Sequence, residues 1–398
     1  MKPNCLIIPL YNEANYLLSH IAGLTLLERL YHAARRYGIS QFVVLGSQNW
    51  DFPFLKSLNI IWAKQASKLI VPEGSVCVLL RPGIWIDQNF FEAIEKIESH
   101  VMQYANKNHD FIIYSGNQMK HWVQTLFSHP NFDSLTTALL SNVMTGIWEV
   151  PVNGLACVRS MEAIQILEKQ LFQGLIKDTE GFMSRYVERN ISLAISKRLV
   201  HTSITPNQMT IISTLVGLLG AVLISLSQGL CQILGAFLFL AHSILDGCDG
   251  EIARIKFLES RYGGLLDFWS DNIVHIAIFG AIGWEWSSRN SSGYPLGWSI
   301  LAILGTLASA GFVYWNTMRN KKESGPLYTS VSRAETKSQM VRIADFLSRR
   351  DFIYLVLLLS FFKELSVFLI LSAIGAPIFF LVLLGIQIQE KYKKGRNL

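Results

Sequence analysis

Charge is scarce in this 398-residue chain: Asp, Glu, Lys and Arg make up 16% of it, and the formal net charge is +6. No stretch interleaves basic and aromatic side chains, so a nucleic-acid surface is excluded as the source of that surplus; loop lysines and arginines account for it. Cysteine is rarer still. The five cysteines, at 5, 77, 157, 231 and 248, show no paired spacing, which argues against a disulfide framework and a zinc site and for a reducing, cytosolic setting for the front half. A cationic leader with an apolar core is also missing, because MKPNCLIIPLYNEAN turns polar too soon. The first membrane segment is therefore expected to act as its own insertion signal.

What is abundant is apolar sequence, 51% of the chain, and it is unevenly spread. Residues 1 to 200 read as a soluble α/β region, whereas 205 to 390 contain repeated apolar runs of about 18 to 22 residues, enough to cross a bilayer core of about 30 Å. In the front half, NCLIIPL (4–10) reads as a buried strand, LTLLERLYHAARRYG (24–38) as a helix and QFVVLGS (41–47) as the next strand, a βαβ opening. Further strands are expected at SVCVLLR (75–81) and HDFIIYSG (109–116), with a helix over NFFEAIEKIESHVMQYA (89–105). The prediction is a mostly parallel sheet flanked by helices.

From Thr179 bulky apolar and basic residues alternate at helical spacing. Such a helix, with Arg185, Arg189, Lys197 and Arg198 on its polar side, suits a cytosolic membrane surface. Six spans follow, at 206–227, 231–249, 265–287, 297–318, 341–362 and 366–388, with Thr205 as a cap and Pro206 in the first turn of the first. The 250–262 and 319–350 loops and the tail EKYKKGRNL are basic, the intervening loops are not, and this puts both termini on the cytosolic side. The 319–350 loop, with Arg319, Lys321 and Lys322, either holds an anionic acceptor or simply follows that bias.

Within the apolar half, LDGCDGEIARIKFLESRYGGLLDFWSD carries four aspartates. Each costs about 2.5–3.5 kcal/mol inside a span, so together they demand partners or a wet cavity. Asp246, Asp249, Gly250 and Ala253 fall at i, i+3, i+4 and i+7, one stripe of a helix; Asp267 and Asp271 lie one turn apart on the next, with Gly263 one turn before them. Two helices joined by a short turn can thus present two carboxylates each to a shared cleft. Convergent carboxylates repel unless a divalent ion bound by oxygen neutralises them, and without a Cys or His set that ion is Mg²⁺ or Mn²⁺ rather than zinc. Such ions hold phosphates; the small residues leave room for a bulky ligand, and Arg254 offers a planar fork to phosphate oxygen.

The pattern D-x2-D-G-x2-A-R-x8-G-x3-D-x3-D resembles the signature of the CDP-alcohol phosphotransferases (CDP-alcohol phosphatidyltransferases) at Asp246, Asp249, Gly250, Ala253, Arg254, Gly263, Asp267 and Asp271, without departure. The resemblance implies six transmembrane helices, a homodimer, a site at the cytosolic membrane face (the inner membrane in a prokaryote), and transfer of a phosphoalcohol from a CDP-alcohol to an acceptor hydroxyl with release of CMP. It further implies that the four aspartates hold the metal that grips the diphosphate and that Asp271 is the general base. TPNQMT (205–210) is similar to the family's segment at the start of the first span, which implies that Pro206, Asn207 and Thr210 join the nucleotide pocket. CDP-diacylglycerol is one donor among those the family uses, so phospholipid and polar-headgroup synthesis both stay open.

The front half resembles the sugar-phosphate nucleotidyltransferases fused to some members of that family, through IIPL and IAGLTLLERLYHAARRYGISQFVVLG. It departs from them after the first strand, where YNEANYLLSH replaces the glycine-rich phosphate loop and its lysine, and at LLRPGIWID, where Pro82 and Gly83 stand near the expected acid and Asp87 is displaced. The expected fold is an α/β nucleotidyltransferase-like (Rossmann-like) soluble domain over 1–180, inactive and serving to bind, regulate or dimerise, then an amphipathic juxtamembrane helix over 181–204. An all-α six-helix transmembrane domain over 205–390 and a basic tail over 391–398 complete it. The alternatives are a bifunctional enzyme whose front domain makes the CDP-alcohol, of inositol-phosphate type, and a cation transporter, since intramembrane acids also mark ion pathways.

Overall fold

The computed structural model describes the chain except residues 1–2, 10–13, 47–57, 64–70, 72–74, 96–102, 106–109, 116–118, 130, 142–144, 148–153, 177–182, 291–292, 319–351 and 397–398. It divides into two compact units, Met1–Leu171 and Phe172–Leu398.

The first unit is built on β1 (Cys5–Pro9), whose residues are all buried, as a central strand covered on both faces must be. Its sheet adds β4 (Gln41–Leu45), β5 (Ile61–Ala63), β6 (Val76–Leu80), β8 (Gln103–Ala105), β9 (Phe111–Ser115) and β10 (Thr145–Ile147), in the order β10-β8-β9-β6-β1-β4-β5. Pairings β1–β4, β1–β6, β4–β5 and β8–β10 are parallel, whereas β9 runs antiparallel to both β6 and β8. Period-two alternation sends Leu6, Ile8, Phe42, Val44, Val78 and Leu80 into one core and Cys5, Ile7, Val43, Cys77 and Leu79 into another on the opposite face. Two short hairpin strands, β2 (His20–Ile21) and β3 (Leu24–Thr25), lead into helix α1 (Leu26–Tyr37). A reciprocal cap starts α1: Thr25 Oγ1 accepts from the Glu28 amide at 3.2 Å while the Thr25 amide donates to Glu28 Oε2 at 2.7 Å. Gly38, at φ +99°, ends it in the left-handed conformation.

One expectation is corrected here. The helix expected over 89–105 is present as α2 (Gln88–Glu95), which buries Phe90, Phe91 and Ile94; residues 96–102 lie outside the described residues, and Gln103–Ala105 is strand β8 rather than helix. Between β9 and β10 the sheet has a strand's worth of open hydrogen-bonding groups, and pairing there outweighs the helical propensity of a short segment. Asp87 has a structural role: its Oδ1 accepts from the Phe90 amide at 3.1 Å and its Oδ2 from Asn89 Nδ2 at 2.9 Å, which caps α2. Burial still pushes its carboxyl above the usual range. The unit is completed by α3 (Met119–Ser128), α4 (Phe132–Ser141), α5 (Met161–Gln173) and the antiparallel pair β7 (Ile84–Ile86) and β11 (Leu155–Cys157).

The second unit is helical: α6 (Arg189–Leu199), α7 (Pro206–Ser225), α8 (Gly229–Ile255), α9 (Arg261–Arg289), α10 (Tyr294–Val313), α11 (Phe352–Phe361) and α12 (Leu365–Arg396). Five of them, α7 to α10 and α12, are long and apolar enough to cross a membrane. The expected span 341–362 is described only from Phe352; α11 is apolar but has 10 residues, and the rest of that span, like the basic segment 319–350, lies outside the described residues. Leu215, Leu219, Val222, Leu234, Leu304 and Leu381 stand exposed on outward faces, as suits a lipid surround. Small residues line the contacts instead: a Cβ on Gly235 would lie 2.6 Å from the Gly220 carbonyl oxygen, so α7 and α8 meet backbone to backbone. Gly305 of α10 receives Pro377 of α12 in the same way.

Helix α6 corrects a second expectation. Arg185, Lys197 and Arg198 are exposed, but Arg189 turns inward, and the buried stripe is the polar series Glu188, Ser192 and Ser196, with Tyr186, Val187 and Ile191 exposed. The reason is Glu251 of α8, wholly buried, which takes Arg189 Nη1 at 2.7 Å and Ser192 Oγ at 2.6 Å. A buried carboxylate must be paired, and this overrides outward snorkelling of the arginine.

Candidate active site

The site begins at the start of α7. Thr205 caps it reciprocally with Gln208: the Gln208 amide donates to Thr205 Oγ1 at 3.3 Å and the Thr205 amide to Gln208 Oε1 at 3.0 Å. Pro206 takes the first turn, where no amide is needed. One turn on, Thr210 donates its hydroxyl to Asp249 Oδ2, tying α7 to the acidic stripe of α8.

Helix α8 hands over to α9 through a tight turn. Phe257 is left-handed at φ +56°, the Leu258 amide donates to the Ala253 carbonyl at 2.9 Å, and Lys256 Nζ reaches the Thr202 carbonyl at 2.7 Å. Ser260 then caps α9 by accepting from the Gly263 amide at 3.0 Å. With both ends of the turn fixed, Asp246 of α8 and Asp267 and Asp271 of α9 each bring a carboxylate oxygen within 4.8 Å of the others. Asp246 is buried, whereas 22% of the Asp271 side chain is exposed, enough for a second reactant to reach it. Asp249 is also buried but faces Thr210 rather than joining that trio.

Beside the carboxylates lies a cavity of about 120 Å³ lined by Pro206, Asn207, Thr210, Asp249, Gly250, Ala253, Arg254, Gly263 and Asp267, together with Leu258, Glu259, Ser260 and Gly264. All seven residues expected at a nucleotide pocket therefore share one hollow. The glycines matter for shape: a Cβ on Gly250 would meet Arg254 Nη1 at 3.1 Å, and one on Gly263 would meet Asn207 Oδ1 at 3.0 Å. Their lack of a side chain leaves that space to the guanidinium and the amide.

The donor set fits a hard divalent cation. Three carboxylates, hard oxygen donors, converge from two rigid helices, and this density of like charge needs a counter-ion of more than one charge. Both helices run unbroken through the acidic region, α8 to Ile255 and α9 from Arg261.

Two groups at the site lie outside the sequence expectation. His242, buried, has Nδ1 at 2.9 Å from the Ser213 carbonyl oxygen and Nε2 at 3.5 Å from Asp271 Oδ1. It precedes Asp246 by four residues and so shares the acidic stripe, a signal that helical periodicity offers. The Arg189–Glu251 pair joins residues 62 apart and leaves no such signal.

Residues 203–373 match the family CDP-alcohol phosphatidyltransferase. The chain is similar to the bifunctional IPC transferase and DIPP synthase of Thermococcus kodakarensis, 30% identical over 192 residues, covering 48% of this chain and 42% of that protein. It is also similar to the protein of the same name from Aquifex aeolicus, 27% identical over 263 residues, covering 63% of this chain and 58% of that one. The matched parts thus span about half the length of these relatives. A crystal structure of the Mycobacterium tuberculosis phosphatidylinositol phosphate synthase with CDP-DAG bound aligns at 18% identity and a TM-score of 0.34, covering 49% of this chain and 92% of that one.

Proposed function

Taking residues 203–373 as a CDP-alcohol phosphatidyltransferase domain, we propose that the protein is an integral membrane enzyme that moves a phosphoalcohol from a CDP-alcohol to an acceptor hydroxyl and releases CMP. The observation that carries this reading is the trio of carboxylate oxygens within 4.8 Å beside a cavity lined by Asn207, Gly250 and Arg254.

Asp246, Asp267 and Asp271, with Asp249 alongside, would hold a divalent cation, magnesium or manganese, which would supply positive charge against the diphosphate. The chain's own groups do the rest. Asn207, Thr210 and the small faces of Gly250, Ala253 and Gly263 seat the nucleotide, and Arg254 gives its fork to a phosphate oxygen. Asp271, the partly exposed member, accepts the acceptor hydroxyl's proton at its carboxylate; the oxygen so freed bonds to the phosphorus bearing the alcohol, and the bond from that phosphorus to CMP breaks. The unbroken course of α8 and α9 speaks against a transporter, whose sites favour discontinuous helices. The names of two further relatives, archaetidylinositol phosphate synthase and phosphatidylinositol phosphate synthase, favour an inositol-phosphate acceptor.

Around this centre we place six spans with both termini cytosolic, a homodimer, and a front domain that binds or regulates without making the CDP-alcohol. The use of Asp87 as a helix cap supports that last point. The test is CMP release from CDP-alcohols in membranes with Mg²⁺ or Mn²⁺. Asp271→Asn should lower it by about 10²-fold or more; no CMP from any donor and acceptor pair refutes the reading. Pyrophosphate release from CTP and a phospho-alcohol by the full-length Asp271→Asn chain would overturn the inactive front domain.

A further inference from the structure

Three helices meet at one buried imidazole. His242 of α8 is 2% exposed; its Nδ1 lies 2.9 Å from the carbonyl oxygen of Ser213 on α7, and its Nε2 lies 3.5 Å from Oδ1 of Asp271 on α9. We infer that His242 is a positioning residue for Asp271, setting the rotation of the carboxylate that takes the acceptor hydroxyl's proton; this rests on the transferase reading above.

Asp271 needs such a brace. The torsion that turns a carboxylate about its Cβ–Cγ bond is broad, with no sharp staggered well to hold it. In the proposed reaction Asp271 has two tasks, to face a cation together with Asp246 and Asp267 and to accept a proton from a hydroxyl, and its two oxygens serve both only at a set rotation. A misplacement of about 1 Å at a reacting centre costs on the order of 10²-fold in rate. A contact on Oδ1 fixes the plane of the group and with it the direction in which Oδ2 looks.

The ring is itself held firmly enough to hold its neighbour. A carbonyl oxygen only accepts, so Nδ1 is the donor to Ser213, and Nε2 is left to meet Asp271. Phe239, one turn earlier on α8, lies against the imidazole with the ring planes 12° apart and the centroids 6.3 Å apart. From α7, Gly217 leaves the space the ring fills: a Cβ there would stand 3.0 Å from His242 Cγ and 2.6 Å from Cγ1 of Val274, which is buried on α9 one turn after Asp271. An imidazole anchored through one nitrogen and walled on two sides has one orientation, and its other nitrogen points at Asp271. The hydrogen of that contact lies on Nε2 or on Oδ1, and in both cases ring and carboxylate stay in line. At 3.5 Å the contact is at the long end for a hydrogen bond, as catalytic contacts are before substrate closes the site. Packing alone would be served better by leucine, since an imidazole buried among Phe239 and Val274 is costly unless its nitrogens are met.

Glutamine and asparagine divide the two contacts between them. The amide nitrogen of His242→Gln stands near the place of Nε2 and reaches Asp271; that of His242→Asn stands near the place of Nδ1, keeps the Ser213 carbonyl and falls short of Asp271. Full-length wild type and both variants, in nanodiscs, would be assayed for CMP release with the donor and acceptor pair that gives wild type its highest rate. His242→Asn should lower kcat by about 10–100-fold, the usual cost of losing a contact that orients a ligand, and leave KM for the donor within about twofold. His242→Gln should return kcat to within about threefold of wild type. In the Asp271→Asn chain, whose amide cannot act as base, adding His242→Asn should change the residual rate by less than about twofold. If His242→Asn does not fold, as read by thermal unfolding, His242→Leu takes its place in each comparison. Equal losses in the two variants, an unchanged kcat in His242→Asn, a loss confined to KM, or the full loss repeated in the Asp271→Asn background overturns the inference and leaves the transferase standing. No CMP from wild type with any donor and acceptor pair sinks the transferase reading, and the inference with it.

Discussion

Replacing Arg189 by methionine should damage the membrane unit more than removing the charge it neutralises. Glu251 is wholly buried in α8, and its Oε1 takes Arg189 Nη1 at 2.7 Å and Ser192 Oγ at 2.6 Å. In Arg189→Met the carboxylate keeps one neutral donor and loses its counter-charge, and stranding a buried charge in this way costs about 3–5 kcal/mol. Glu251→Gln leaves the opposite remnant, a guanidinium with 15% of its side chain exposed and able to reach water, so the loss should be about 1–3 kcal/mol. The double variant, with neither charge, should recover about 2 kcal/mol relative to Arg189→Met, a coupling within the usual range for contacting pairs. Equilibrium unfolding of the full chain in mixed micelles, followed by tryptophan fluorescence, reads all four corners of the cycle. CMP release measured alongside should fall in step with Arg189→Met and return in the double variant, because Glu251 lies two residues from Asp249 and α6 sets the packing of that turn of α8. An Arg189→Met loss below about 0.5 kcal/mol, or a double variant as damaged as the sum of the two singles, would refute the pairing as the force that holds α6 in place.

Thr210→Val removes the hydroxyl that donates to Asp249 without altering volume much, and outer-shell losses of this kind typically cost about 10–100-fold in metal affinity or activity; CMP release titrated with Mn²⁺ should shift to higher metal, and an unchanged titration would rule out Thr210 as the group that orients Asp249. Gly235→Ala puts a methyl 2.6 Å from the Gly220 carbonyl oxygen, backbone that cannot swing aside, and should destabilise by about 1–3 kcal/mol or more in the same micelle unfolding assay. Gly280→Ala, where a Cβ meets nothing within 4 Å, is its control and should be neutral within about 0.5 kcal/mol.

Much of the site is legible in the chain because a helix repeats its face every three or four residues. Asp246, Asp249, Gly250 and Ala253 had to share a stripe once that segment was helical, and so did Asp267 and Asp271. The same rule reaches His242, four residues before Asp246, yet a lone histidine in an apolar run has no distinguishing neighbours until Asp271 is found 3.5 Å away. The front sheet shows the opposite limit. The buried strands β1, β4, β6 and β9 announce themselves as apolar runs, but the end of the helix expected over 89–105 is strand β8, since a place between two strands is decided by the partners on either side.

From its sequence alone the protein is determined to have a front of strands and helices, a back of helices long and apolar enough to cross a membrane, and an acidic stripe on each of two consecutive helices, all consequences of local periodicity and of apolar run length. Tertiary structure alone decides the direction in which each stripe looks. It brings Asp246, Asp267 and Asp271 together while Thr210 takes Asp249, turns Arg189 inward to Glu251, and opens an apolar cavity behind Asp271. Those outcomes depend on which buried charge or hydroxyl finds a partner across tens of residues, and on how closely glycine-bearing helices approach, quantities that no local pattern encodes.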